Sequence, residues 1–129
     1  MSAKKKTVFV IYYSMYGHIQ KMAREVCKGL EKSGGSYAKK VEINNDLINS
    51  LFYLEVNAKL FQVAETLPQE VLGMMHAPPK AADVPMIQAS QLPEADGVIF
   101  GIPTRFGTMP AQMKAFFDSC GQLWMTGAM

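Results

Sequence analysis

The chain has little of what marks secreted, membrane-spanning or metal-binding proteins. Two cysteines in 129 residues are too few for a disulfide framework, and no cysteine or histidine spacing fits a zinc site. The N-terminus lacks the apolar segment of a secretory signal, and no apolar run is long enough to cross a bilayer. We therefore expect a soluble, cytoplasmic chain without an integral membrane segment and without a bound metal.

Neither positive nor negative charge predominates in the chain. The formal net charge is +2, and Lys4, Lys5 and Lys6 supply three of the positive charges. A short basic N-terminus is typical of a solvated tail, and no second basic stripe supports nucleic-acid binding. The hydrophobic share of 49% is sufficient for a core. We expect one folded domain over residues 1–129 that binds no nucleic acid.

Several common catalytic and nucleotide-binding motifs are missing as well. The loop after the first apolar run has a single glycine, Gly17, so it is neither a Walker loop nor a three-glycine dinucleotide fingerprint. Neither cysteine has an arginine at the spacing that cysteine phosphatases use. No Ser/His/Asp order, H-E-x-x-H motif or pair of carboxylates stands out. We therefore assign no catalytic side chain.

Strand and helix patterns alternate along the chain. Three runs predict strands: residues 7–12, 58–63 and 97–101. The first run is β-branched and aromatic without alternation, which is typical of a strand covered on both faces. The third run is apolar throughout, which indicates a central strand. Apolar residues at helical spacing predict helices in three further segments: residues 19–30, 69–75 and 111–120. This alternation predicts an α/β fold with a parallel sheet.

Glycines set the expected ends of these helices. We expect Ser33, Gly34 and Gly35 to end the first helix and Gly121 to end the last. Both cysteines fall on apolar helix stripes, which predicts buried free thiols. Residues 36–55 fit the alternation least, because residues 41–43 are compatible with a short strand and residues 47–52 with a helix.

Two polar loops follow predicted strands directly. The first, residues 14–19, joins a strand to a helix, where free backbone N–H groups and the helix dipole suit a phosphate. The second, residues 103–107, can place Phe106 against a flat ring, with Thr104 and Arg105 reaching the polar edges of that ring. Because ligands bind beyond the carboxyl ends of parallel strands, we expect the two loops to be adjacent. Each loop also has a simpler interpretation, as a helix cap and as a plain connection.

Two single residues also have two interpretations each. His18 at a helix start is either a surface residue or a catalytic base, and the surface interpretation is favoured. Trp124 is the only tryptophan, and its pattern favours core packing over a platform for a ligand.

The first loop with its flank, Tyr12-Tyr13-Ser14-Met15-Tyr16-Gly17-His18-Ile19, resembles the FMN-phosphate loop of the WrbA-type NAD(P)H:quinone oxidoreductases, a flavodoxin-like family. Other segments resemble that family too, and together they cover most of the chain: residues 61–68, 73–80, 103–107, 112–118 and 123–124.

This resemblance implies a flavodoxin-like three-layer parallel sheet, bound FMN, and two-electron reduction of quinones by NADH or NADPH in a homo-oligomer, a dimer or tetramer. Tyr16 matches the position that contacts the nicotinamide cofactor, and Trp124 matches the aromatic residue on the side of the quinone substrate. The FMN-binding positions that it implies are Ser14, Met15, Tyr16, Gly17, His18, Ile19, Thr104, Arg105 and Phe106.

The chain departs from the family pattern in two places. Residues 36–55 look like an insertion, and we expect them to contribute little to the cofactor site. The family pattern continues with two further strands and a glycine-rich loop over the flavin, so we expect an incomplete sheet whose last two strands are missing. A second hypothesis is therefore a truncated, non-catalytic isoform that binds full-length subunits. A one-electron flavodoxin is a third, which the positive net charge disfavours.

Overall fold

A computed structural model describes residues 5–36 and 56–128 of the chain. Three strands, β1 (Lys6–Tyr12), β2 (Val56–Gln62) and β3 (Gly97–Gly101), form one parallel sheet in the order β2-β1-β3. This order is the beginning of the flavodoxin order 2-1-3-4-5. The predicted α/β class and the parallel pairing of β1 with β3 are confirmed.

Helices connect the strands and cover the sheet, and none of those in the described ranges is both long and apolar enough to span a bilayer. They are α1 (His18–Ser36), α2 (Gln69–Met74), a 3-10 helix (Ala89–Glu94), α3 (Ala111–Ser119) and α4 (Gly121–Met125). The 3-10 helix falls in a proline-containing stretch that has no clear helical period, so the sequence pattern did not predict it.

The central strand β1 supplies both halves of the core. Phe9 and Ile11 pack on one face with Met113 of α3, while Val10 and Tyr12 pack on the other face with Ala23 of α1. Successive side chains of a strand point to opposite faces, so one apolar run can serve both layers. Each fully buried large apolar side chain stabilises the fold by about 1.5–3 kcal/mol. The predicted three-layer arrangement follows from this run.

The end of α1 differs from the glycine-based prediction, whereas the end of α3 agrees with it. α1 continues through Gly34 and Gly35 to Ser36. Glycine costs only about 1 kcal/mol relative to alanine inside a helix, so it permits termination without forcing it. Gly121 does follow the end of α3 at Ser119, but it also begins the separate short helix α4.

The third strand lies at an edge of the described sheet, although its apolar composition indicates a central strand. Among the described strands β3 pairs with β1 alone, and Val98 and Ile99 are 36% and 39% exposed. An apolar composition indicates that a strand can be buried, but it does not predict how many strands pair with it. An edge position is what the expected incomplete sheet requires.

Burial of the two thiols also differs. Cys120 is buried as predicted, whereas Cys27 is only half-buried, and burial raises the pKa of both thiols. The strand and helix considered for residues 41–43 and 47–52, and all of the apparent insertion except Ser36, lie outside the described residues. Its small contribution to the cofactor site therefore stays a prediction.

Candidate functional site

The carboxyl end of β1 is held on both sides at the point where the first loop begins. Tyr13 N–H donates to the Gly101 carbonyl at 3.1 Å, and Val63 N–H donates to the Tyr12 carbonyl at 2.8 Å. Both neighbouring strands thus fix the last residues of β1. The loop at residues 14–17 starts from a rigid support.

This first loop is a tight turn that opens directly into α1. Gly17 N–H donates to Ser14 Oγ at 3.0 Å, and Lys21 N–H donates to the Gly17 carbonyl at 3.1 Å to begin the helix. The Ser14 hydroxyl accepts that bond and keeps its own proton for a further acceptor. The first N–H groups of a helix have no carbonyl within the helix. The turn therefore presents several donors at the positive end of a helix of 19 residues.

Glycine is required at position 17 for conformation rather than for space. Its φ of +88° lies in the left-handed region, while an added Cβ at Gly17 would meet nothing within 4 Å. Side chains are strained there by about 1–2 kcal/mol. The single glycine that the sequence pattern singled out therefore makes the turn.

The other residues of the predicted phosphate loop differ in what they expose. Met15 is buried and Ile19 packs against the core, so each offers the loop its backbone rather than its side chain. His18 is exposed as the first residue of α1, in agreement with the surface interpretation. Tyr16 is half-exposed, and its hydroxyl donates to the Met75 carbonyl at 3.0 Å.

The second loop forms a self-contained turn beyond β3. Arg105 N–H donates to the Thr108 carbonyl at 2.7 Å, and Thr108 N–H donates back at 3.0 Å. Between them Phe106 has φ +51° and Gly107 has φ +82°. Positive φ at both central residues defines the type I′ turn.

Phe106 is the most unusual residue of this turn. Its side chain is fully exposed, although a bulky residue in the left-handed region is a genuine outlier. Strained residues of this kind cluster at ligand contacts. Thr104 and Arg105 flank it, both exposed, and Arg105 Nη1 donates to the Thr104 carbonyl at 3.0 Å. The turn thus presents an aromatic face beside an exposed cation.

The structure brings the two predicted loops to the same sheet edge. Tyr12 and Gly101 are partners in the β1–β3 register, so both loops leave the sheet side by side. A Cβ added to Gly101 would lie 2.8 Å from Ile19 Cγ2 and 3.0 Å from Tyr12 Cβ. Only glycine therefore allows the end of β3 to approach the start of α1 this closely.

Trp124 lies in α4, outside both loops. Its side chain is 79% exposed, and the neighbouring Met125 is exposed as well. The core-packing interpretation of Trp124 is therefore wrong.

Sequence reasoning missed a polar network behind the first loop. Lys80 Nζ donates to the Ser14 carbonyl at 3.2 Å, lies 3.5 Å from Glu65 Oε2, and sits 4.2 Å from the centre of the Tyr13 ring. Glu65 in turn accepts hydrogen bonds from Tyr13 Oη at 2.9 Å and from Gln112 Nε2 at 2.6 Å. The network joins the first loop to α3.

Hydrogen bonding decides the charge of the Glu65 carboxyl. Burial alone would raise its pKa, but bonds from Gln112, Tyr13 and two backbone N–H groups outweigh burial, so the net pKa is lowered. Burial lowers the pKa of Lys80, and the Glu65 carboxylate offsets part of this effect. The pKa of Tyr13 is raised, first by burial and then by its bond to Glu65.

A signal for this network was available in the sequence. Glu65 lies just beyond the carboxyl end of β2, at the same sheet edge as the two predicted loops. The rule about strand ends was applied to β1 and β3 only. The signal for Lys80 was its place in residues 73–80, one of the segments that resemble the family, but the sequence does not specify the course of this proline-rich connection.

A cavity of about 300 Å³ lies against the first loop on its β2 side. Its polar lining residues are Ser14, Gln20, Gln62, Lys80 and Asp83. A second cavity of about 290 Å³ lies beside Glu65, and four residues line both cavities: Met15, Pro78, Pro79 and Lys80.

Comparison with known proteins shows one family and several relatives to which the chain is similar. Residues 7–128 match the family model described as NADPH-dependent FMN reductase. Quinone-oxidoreductase QR2 of Triphysaria versicolor is 49% identical over 122 residues, covering 95% of this chain and 49% of the relative. Minor allergen Alt a 7 of Alternaria alternata is 48% identical over 122 residues, covering 94% of this chain and 50% of the relative. The NAD(P)H dehydrogenase (quinone) of Aromatoleum aromaticum is 43% identical over 125 residues, covering 95% and 51%. The chain spans about half the length of these relatives.

Proposed function

Because this chain belongs to the NADPH-dependent FMN reductase family, we propose that its activity is the FMN-dependent two-electron reduction of quinones by NADH or NADPH. The observation that carries the proposal is the meeting of two loops at one sheet edge. One loop is a donor-rich turn at the start of α1, and the other presents an exposed aromatic side chain in a strained turn. Relatives named as quinone oxidoreductases support the choice of substrate.

The first loop fits the phosphate end of FMN. The Ser14 hydroxyl and the backbone N–H groups of residues 15, 16, 18 and 19 are the donors that we assign to the phosphate oxygens, since the Gly17 N–H already donates to Ser14 Oγ. The dipole of α1 adds favourable charge at this point. The side chains of Met15 and Ile19 are packed inward, so they would support the backbone rather than contact the cofactor.

The second loop fits the ring end. Phe106 offers an exposed aromatic face, and Thr104 and Arg105 supply polar groups beside it. A guanidinium at this place favours negative charge on a neighbouring ring. When bound, FMN would supply the redox chemistry for two-electron transfer between the nicotinamide and the quinone. The side chains hold, orient and polarise, so no strong base is required of them.

The two co-substrates need contact surfaces at the same edge. We assign Tyr16 to the nicotinamide and Trp124 to the quinone, and both side chains have exposed aromatic faces. We also propose a cytoplasmic homo-oligomer, either a dimer or a WrbA-type tetramer. The resemblance to the WrbA-type enzymes is what supports an assembly.

Fluorescence-quenching titrations with FMN and riboflavin test the cofactor assignment. They are made on the 129-residue chain and on the same chain extended by the part of the Triphysaria relative outside the match. We expect both proteins to prefer FMN over riboflavin, because only FMN reaches the first loop. We expect the extended protein to bind more tightly and to oxidise NADH or NADPH in the presence of 1,4-benzoquinone. Equal affinity for both flavins, or no flavin binding by either protein, would contradict the proposal.

A further inference from the structure

The segment at residues 75–80 reaches the first loop through two hydrogen bonds. Tyr16 Oη donates to the Met75 carbonyl at 3.0 Å, and Lys80 Nζ donates to the Ser14 carbonyl at 3.2 Å. His76, between these two anchors, has φ +51°, which turns the chain sharply after α2. Two points of the first loop are thus attached to one segment of the chain behind it.

The Lys80 ammonium is itself held in place. Its side chain is 24% exposed, and it lies above the Tyr13 ring and beside the Glu65 carboxylate, which is 13% exposed. Gln112 and Tyr13 fix Glu65 from the other side by hydrogen bonds of 2.6 and 2.9 Å. A lysine held by so many neighbours has little freedom to leave the Ser14 carbonyl. The contact between Lys80 Nζ and the Ser14 carbonyl is therefore part of the packed structure rather than a transient surface pair.

Peptide geometry gives this contact a consequence for the loop. In a planar trans peptide the C=O and the next N–H point in opposite directions. When Lys80 holds the Ser14 carbonyl, it also directs the Met15 N–H to the opposite side. It further fixes Ser14 so that its Oγ can accept the Gly17 N–H.

We propose that Lys80 is a positioning residue for anion binding at the first loop: it acts through the Ser14 carbonyl to aim the loop donors at a phosphate group. The inference rests on the proposed function only for the identity of that anion. The bracing of the loop can be measured without any flavin.

The first experiment measures the bracing in the free protein. Amide hydrogen exchange at Gly17 is followed by NMR in the 129-residue chain and in the variants Lys80→Met, Lys80→Arg and Lys28→Met. Lys28→Met is the matched control, because it removes the same charge at a distant place. Lys28 Nζ lies 2.6 Å from Glu25 Oε1 on an exposed face of α1. We expect exchange at Gly17 about tenfold faster in Lys80→Met, close to normal in Lys80→Arg, and unchanged in Lys28→Met. Unchanged exchange in Lys80→Met would overturn the proposal.

The second experiment measures the effect on binding with FMN and riboflavin as probes. We expect Lys80→Met to weaken FMN binding about tenfold and riboflavin binding less than twofold, and Lys80→Arg to restore FMN binding to within threefold. Equal losses for both flavins would show a general structural role and overturn the proposal. If the unsubstituted chain does not prefer FMN, the proposed function fails, while the exchange of Gly17 still decides the role of Lys80.

A second variant keeps the test decisive if Lys80→Met does not fold. Glu65→Gln retains the size of the side chain and removes the carboxylate that holds Lys80. As in Lys80→Met, we expect faster amide exchange at Gly17 and weaker FMN binding in Glu65→Gln, each by about threefold. Native exchange and native FMN binding in Glu65→Gln would then overturn the proposal.

Discussion

The two loops of the candidate site are held in opposite ways. The first loop depends on groups outside itself, since Lys80 holds Ser14, Met75 holds Tyr16, and both neighbouring strands hold the residues before it. The second loop depends on itself, because its two reciprocal backbone bonds close the turn between Arg105 and Thr108. One loop is part of the packed body, and the other is an exposed turn.

This difference fits what each loop is proposed to bind. A phosphate needs several donors aimed at one point, and donors fixed in advance lose little entropy on binding. A flat ring needs contact area, which one exposed aromatic side chain supplies without a supporting network. The contrast predicts that changes in the body of the fold disturb the first loop, whereas changes in the second loop stay local.

The largest expected effect concerns the place where the two loops approach each other. In Gly101→Ala the new Cβ would lie within 3.0 Å of Ile19 and Tyr12, and overpacking of this kind costs about 1–3 kcal/mol. Gly97→Ala is the matched control in the same strand, because its Cβ would meet only Val8 Cγ2 at 4.0 Å. We expect thermal unfolding to show a clear loss of stability for Gly101→Ala and little change for Gly97→Ala. Equal melting temperatures for the two variants would mean that the approach relaxes freely.

A smaller effect is expected when a donor of the first loop is removed. Ser14→Ala deletes the hydroxyl that accepts the Gly17 N–H and that we assign to the phosphate. We expect FMN binding to weaken about tenfold, equivalent to about 1.4 kcal/mol. Riboflavin binding should change less than twofold, since riboflavin lacks the phosphate. A loss shared by both flavins would place the effect at the ring end and remove the distinction between the two loops.

The sequence predicted the parts of this site that depend on local pattern. The apolar run at β1, the glycine turn at Gly17 and the aromatic turn at Phe106 each lie within a few neighbouring residues. The adjacency of the two loops followed from the general rule on parallel strands. The alternation of strands and helices was sufficient for the fold class.

The parts that were not predicted depend on contacts between distant segments. Lys80 reaches Ser14 across 66 positions, and Gln112 reaches Glu65 across 47. No periodicity encodes such pairs. The exposure of Trp124 was missed for a related reason, because composition indicates the surroundings that a residue suits and not the neighbours that the topology gives it.

The charge network behind the first loop predicts a dependence of stability on pH. The pKa of Glu65 is lower in the folded state than the ordinary value of about 4.3. Its contribution to stability is therefore fully present above that value and is lost as the pH falls through the folded pKa. We expect the free energy of unfolding to fall below about pH 4.3 in the unsubstituted chain and to fall less steeply in Glu65→Gln. Identical acid profiles, measured by urea unfolding, would show that this carboxyl does not titrate with folding.

The smallest expected effect concerns the strain stored in the second loop. Phe106 occupies the left-handed region at φ +51°, where asparagine is tolerated far better than a bulky side chain. Its side chain is fully exposed, so little packing is lost on its removal. We therefore expect Phe106→Asn to raise the free energy of unfolding by roughly 0.5–1 kcal/mol.

The same variant should weaken FMN and riboflavin binding by the same factor, because both flavins carry the ring. A gain in stability together with an equal loss of FMN and riboflavin binding would show that the second loop keeps a strained aromatic residue for contact with a ligand. A destabilised protein would mean instead that Phe106 supports the fold. The second loop would then depend on the body of the molecule as much as the first.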